Sequence, residues 1–257
     1  METIREHTHA ERRRVAERLV PLIRKRFGEN LVALATCASF ARGDDGPYSD
    51  LELVAFLERF DDPRGWGGWG GLVNGLLVEV VWMTGERYRE RTKGVTREWY
   101  LAGADRLEPL VNAPFVEALD EYAAPDLEAD CARQAEDHWT EVQESTCKVL
   151  NAVRTGNREG VGLVGFDMLH RMMIQLALLN ARPFTTFVRM IEQSRTLPVR
   201  PAAFERLADL FVAGRHTDLE RLDALARETY DQLESLMRER GLLRQFGTIE
   251  AAFPVEG

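Results

Sequence analysis

Asp50 and Glu52 open the apolar run DLELVAFL (50–57). If the run is a β-strand, its period of two sends Asp50 and Glu52 to one side together with Val54 and Phe56. Two carboxylates converging there make a poor apolar core unless a cation sits between them. Oxygen donors with an open coordination sphere suit Mg²⁺, which keeps waters and takes phosphate oxygens as further ligands. Glu79, the lone acid inside LLVEVVWM (76–83), joins them if that segment is the neighbouring strand. A metal held in this way neutralises phosphate charge and activates an attacking hydroxyl.

Upstream, Ala38-Ser39-Phe40-Ala41-Arg42-Gly43 follows the strand-length apolar run LVALATC (31–37). Ser39 and the backbone amides around it can grip a terminal phosphate. Arg42 can stabilise charge on a departing pyrophosphate. No GxxxxGK[ST] segment occurs in the chain, so this is phosphate handling without a Walker loop. A lone D-x-E is common at solvated strand ends. The combination is more specific: Ser39, an acid eleven positions later, Glu52, and an acid in the following strand.

The elements that must position these residues read as α+β. Residues 10–27 place Val15, Leu19, Leu22 and Ile23 at helical spacing, with Pro21 as a kink and Gly28 as a stop. Strands follow at 31–37, 50–57 and 76–83. Asp45, Gly46 and Pro47 supply turn chemistry between the first two. The segment RGWGGWGG (64–71) reads as a flexible hairpin connection. Helical signals return near 85, and the Pro-bearing segment 113–129 reads as a crossing between domains. Helices are expected over 130–155, 162–182, 184–195, 201–213 and 216–240. Strands early and helices late predict an N-terminal domain with a mixed β-sheet and flanking helices over 1–125. A C-terminal helical bundle domain is expected over 126–257.

The 257 residues carry 33 Lys and Arg against 42 Asp and Glu, a formal charge of −9. That acidity argues against a nucleic-acid partner, which asks for a basic footprint. No membrane is expected, because no stretch approaches the ~18 uninterrupted apolar residues of a span. The charged start METIREHTHAERRR lacks the apolar core of a secretory signal. Cys37, Cys131 and Cys147 are too few and scattered for a disulfide framework or zinc site. A cytoplasmic location is the expectation. His7 and His9 lie near a terminus expected to be mobile, His138 reads as a surface residue, and His170 as a packed one.

The segment 38–52 resembles the signature of DNA-polymerase-β-type nucleotidyltransferases, a Gly-Ser pair followed by D-x-D/E. DGPYSDLE (45–52) is closer still to the kanamycin nucleotidyltransferases, which modify an aminoglycoside 4′-hydroxyl. The resemblance is strong over 38–57 and recognisable at 76–82. It continues collinearly through LNARPFTTFVRMIEQSRTLP and LFVAGR. Ala38 stands where that family has Gly, and it keeps the turn provided its φ stays negative.

The resemblance implies a general base on a helix of the C-terminal domain, followed four residues later by a phosphate-contacting Lys. Glu144 and Lys148 have that spacing, and Asn151 fits the pattern; on a helix, i and i+4 share a face. An exposed Glu–Lys pair is the plain alternative. By resemblance, Asp50, Glu52 and Glu79 hold Mg²⁺, and Ser39, Arg42, Ser49 and Lys148 hold ATP. Glu144 serves as base, while Glu79, Glu141 and Glu144 face the amines of an aminoglycoside antibiotic. The acid that precedes the third strand in that family has no counterpart. Trp66 and Trp69 lie there instead, able either to stack on a sugar ring or to pack structurally. A homodimer with shared active sites is implied. The expected reaction moves AMP from ATP to the 4′-hydroxyl of kanamycin, tobramycin or amikacin, conferring resistance. The alternative is the same chemistry on another drug hydroxyl or on a protein, as in antitoxin-type adenylylation.

Overall fold

The computed structural model describes residues 3–104, 106–243 and 248–252. The chain forms two compact units, Met1–Pro125 and Asp126–Gly257.

The first unit begins with α1 (His9–Phe27). Thr8 caps it: its hydroxyl accepts from the Glu11 amide while the Glu11 carboxylate accepts from the Thr8 amide. The helix runs through Pro21 and ends at Gly28, whose φ of 55° needs a residue without Cβ. The terminus expected to be mobile is tied down. The His7 amide donates to the Pro47 carbonyl, and His9 lies 2.6 Å from Asp45 and stacks on Phe40.

After α1 come β1 (Leu31–Thr36), α2 (Ala38–Arg42), β2 (Leu51–Leu57), β3 (Trp66–Val73), β4 (Leu76–Thr84), α3 (Gly85–Tyr88), β5 (Glu108–Val111) and α4 (Ala113–Asp120). The five strands form one sheet in the order β3-β4-β2-β1-β5. Only β2 and β4 run parallel; β1–β2, β1–β5 and β3–β4 are antiparallel. Alternation along β2 divides the core in two. Leu51, Leu53 and Ala55 pack with Leu34, Val78 and Val80 beneath Ala16 and Ile23 of α1. Val54 and Phe56 pack on the other face with Ala33, Ala35, Met83, and Val116 and Leu119 of α4. Of the four apolar positions predicted on α1, Leu22 points to solvent, at 61% exposure.

Two sequence expectations change here. The segment 64–71 is no flexible connection, because residues 66–73 are strand β3, paired throughout with β4. Glycine there serves packing. A Cβ at Gly67 would lie 2.1 Å from the Trp82 Nε1, so the bare backbone makes room for the indole of its cross-strand partner. Residues 113–120 are not a crossing segment either. They form α4, held by the burial of Val116 and Leu119 against the sheet.

Among the described residues the second unit is all-helical: α5 (Leu127–Arg154), α6 (Arg158–Leu179), α7 (Met190–Ser194), α8 (Ala202–Val212), α9 (Leu219–Glu239) and the short α10 (Ile249–Ala252). The helix expected over 184–195 is reduced to α7 and a preceding turn at Phe187–Arg189. α6 is long and apolar enough to cross a bilayer by composition alone, yet 61% of its apolar stretch is buried. It packs on α5, where Gln175 donates to the Ala135 carbonyl at 3.0 Å. The fold is α+β, a mixed five-stranded sheet with flanking helices followed by a helical unit.

Candidate active site

Glu52 and Glu79 are direct partners in the parallel β2–β4 ladder. Neighbouring strands lie about 4.8 Å apart, and paired residues in a ladder share a face. Both side chains therefore leave the sheet side by side. Asp50 precedes β2 by one residue and emerges on the same face. One carboxylate oxygen from each of Asp50, Glu52 and Glu79 lies within 4.8 Å of the other two. β3 reaches the far side of Glu79 with Gly70, its ladder partner, so the strand presents bare backbone there.

This donor set fits a hard divalent cation. Mg²⁺–oxygen distances of about 2.1 Å in an octahedron place ligand oxygens about 3–4 Å apart. Small rotations of partly exposed carboxylates close the remaining gap. Three clustered acids repel one another without a cation between them.

Ser39 sits in α2, the one-turn helix between β1 and the loop leading to β2. Ala38 opens this helix at a φ of 57°, so the expectation of a negative φ there is overturned. The left-handed conformation that Gly adopts freely is imposed on an alanine, because the chain must turn sharply out of β1. Gly43 closes the same turn at a φ of 74°. Arg42 is paired with Asp44, at 3.1 Å and 3.3 Å. It also lines a cavity of about 290 Å³ with His9, Arg13, Arg106 and Glu108. The Ser49 hydroxyl accepts from the Gly46 amide at 3.0 Å, which leaves its own proton available to a phosphate oxygen.

The loop 43–49 is held by one residue of α1 and one residue of its own turn. Arg12 and Asp45 are buried together, each side chain 1% exposed, and joined at 3.0 Å. No local pattern could have singled them out, because they are 33 positions apart and meet only when α1 folds onto the loop.

In the C-terminal unit, Glu144 and Lys148 lie one turn apart on α5 with Nζ and Oε1 3.0 Å from each other, both largely exposed. Glu141, one turn earlier, is engaged by Arg171 of α6, which also reaches Asp167 at 3.3 Å. His138, expected at the surface, is buried, and its Nε2 lies 3.2 Å from the Arg171 carbonyl. Burial holds its pKa below the ordinary value of 6.5. Trp66 is partly buried against the α4 face of the sheet, and Trp69 is 48% exposed.

Adjacent strands that converge three carboxylates beside a strand–serine–helix turn, joined to a helical C-terminal unit, define the chain as a nucleotidyltransferase. Residues 132–242 match the model of the KNTase C-terminal domain. That stretch of the helical unit is therefore similar to the C-terminal domain of kanamycin nucleotidyltransferases. No curated protein matches the sequence. Among solved structures, the chain is similar to a nucleotidyltransferase-like protein from Exiguobacterium sibiricum 255-15. That likeness covers 88% of this chain and 80% of the other at 15% identity, with a TM-score of 0.47.

Proposed function

We propose that this nucleotidyltransferase moves AMP from ATP to the 4′-hydroxyl of an aminoglycoside such as kanamycin, tobramycin or amikacin, and so confers resistance in the cytoplasm. The observation that carries the reading is the convergence of Asp50, Glu52 and Glu79 on one sheet face. These three residues would hold Mg²⁺, which when bound neutralises triphosphate charge. Ser39 and Ser49 donate hydroxyl protons to phosphate oxygens. Arg42, in a cavity lined also by Arg13 and Arg106, meets the charge of the departing pyrophosphate. Glu144 accepts the proton of the sugar hydroxyl, and the hydroxyl oxygen attacks the α-phosphorus. The bond from that phosphorus to the bridging oxygen breaks, and pyrophosphate leaves. Lys148 neutralises phosphate charge and favours the ionised form of Glu144. Glu79 and Glu141 attract the ammonium groups of the drug.

A homodimer is part of this reading. Its support is an apolar surface on the C-terminal unit, where Leu163, Phe166, Phe187, Val188 and Val212 are 51–88% exposed.

The test is mass analysis after incubation with ATP, Mg²⁺ and kanamycin. One AMP is expected on the drug, and AMP on a polypeptide would instead favour protein adenylylation. Dibekacin, which lacks the 4′-hydroxyl, is the control: labelling as fast as tobramycin at the same ring removes the 4′ assignment. Asp50→Asn is expected to lower the rate by at least about a thousandfold, or ~4 kcal/mol in the barrier, while the protein stays folded. An unchanged rate takes Asp50 out of the mechanism.

A further inference from the structure

Arg12 lies in the first helix, yet nearly every donor of its guanidinium serves the loop that leads to Asp50. Nε donates to the Ser49 carbonyl at 2.9 Å. Nη1 donates to Asp45 Oδ2 at 3.0 Å and to the His7 carbonyl at 2.8 Å. Nη2 donates to the carbonyls of Gly46 and Pro47 at 2.8 Å and 2.9 Å. Arginine has five N–H donors in a rigid fork, and five bonds are made. The second oxygen of Asp45 lies 2.6 Å from the His9 Nδ1, so the acid is itself oriented from both sides.

The three clustered acids are not held equally. Glu52 and Glu79 sit inside a ladder whose register sets them side by side. Asp50 lies one residue before the first paired position, Leu51, and its own backbone is outside the strand. Repulsion from the other two carboxylates drives Asp50 outward, and sheet pairing does not oppose it. The bond from Arg12 to the Ser49 carbonyl acts on the peptide unit that joins Ser49 to Asp50, and therefore on the direction in which Asp50 leaves the chain. A buried ion pair is seldom the most stable filling of a core, since apolar side chains of similar volume do as well or better. A rigid fork that fixes three carbonyls and a carboxylate in one short loop does what an apolar side chain cannot.

We propose that Arg12, oriented by Asp45, is a positioning residue that sets the direction of Asp50 and thereby preorganises the acidic cluster for a divalent cation. This rests on the reading of Asp50, Glu52 and Glu79 as a metal site and adds to it a residue that touches neither metal nor substrate.

The test uses Mn²⁺ as probe, with its binding to the nucleotide-free full-length protein read by electron paramagnetic resonance. The double variant Arg12→Met/Asp45→Leu removes both buried charges together and so leaves neither unpaired. Its Mn²⁺ dissociation constant is expected to rise 10–100-fold, the range seen when groups behind metal ligands are removed. The Mg²⁺ concentration for half-maximal transfer should rise in parallel. A double variant that melts cooperatively and binds Mn²⁺ with unchanged affinity overturns the proposal. If the double variant does not fold, Arg12→Lys decides: it keeps the charge but not the fork, and unchanged Mn²⁺ affinity in it overturns the proposal equally. Asp50→Asn separates the two levels. Should it leave Mn²⁺ binding untouched, the metal site fails; should it abolish binding while the Arg12 variants bind normally, only the positioning role fails.

Discussion

Replacing Ala38 by glycine should make this protein more stable without harming the site that it introduces. Ala38 holds a φ of 57°, where an L-residue's Cβ crowds the following carbonyl at a cost of about 1–2 kcal/mol. Glycine removes that cost but frees the unfolded chain by about 0.4–1 kcal/mol. The difference is a net gain of about 0.5–1 kcal/mol, equivalent to about 2–4 °C in the melting temperature of a unit of this size. Ala38→Val should act in the opposite sense, because a β-branched residue is still less compatible with positive φ. The assay is thermal and urea unfolding of the three proteins side by side, with transfer rates measured at one temperature. Glycine can keep the observed turn, so Ser39 stays in place and the rate should remain within about twofold of the parent. If Ala38→Gly melts at the same or a lower temperature, the turn is not strained as argued. If Ala38→Val is as stable as the parent, the left-handed conformation is not the one the chain adopts.

Two further predictions concern the strand beside the acids and the buried histidines. A Cβ at Gly70 would stand 3.6 Å from Glu79 Oε1, so the backbone tolerates one while a branched side chain covers the carboxylate. Gly70→Val should therefore fold at least as well as the parent yet raise the KM for the acceptor about fivefold or more, ~1 kcal/mol of lost binding. An unchanged KM would mean that the acceptor does not use this face. Burial depresses the pKa of both His138 and His170 below 6.5. The unfolded chain then binds more protons than the folded one in the window just below 6.5, so stability is full above that pH and falls as pH drops through it. Urea midpoints between pH 7.5 and 5.5 check this, and His138→Gln should flatten the slope. A slope of the opposite sign would show that the histidines gain a proton on folding.

How much of this was legible in the sequence varies from element to element. Period-two alternation in DLELVAFL placed Asp50 and Glu52 on one face, because a strand's side-chain direction is a local property of its backbone. Glu79 was different, since its partnership with Glu52 depends on β4 lying next to β2. The hairpin partner β3 had to fall outside β4 in the sheet order, and nothing in residues 76–83 alone says so. The glycines of 67–71 misled for a related reason. Read locally they suggest flexibility, whereas Gly67 answers to the volume of Trp82 on another strand. The α4 segment looked like a linker because its proline is visible in sequence and the sheet face that it covers is not.

The sequence by itself determined the residue chemistry, the strand alternation and the succession of sheet then helices, since each depends on neighbours within a few positions. Tertiary structure alone decided three things: the third carboxylate beside the first two, the left-handed turn at Ala38, and the burial of Arg12 against the loop before Asp50. Each of these depends on atoms brought together from distant positions, where packing and the search for hydrogen-bond partners override what any short stretch of chain prefers on its own.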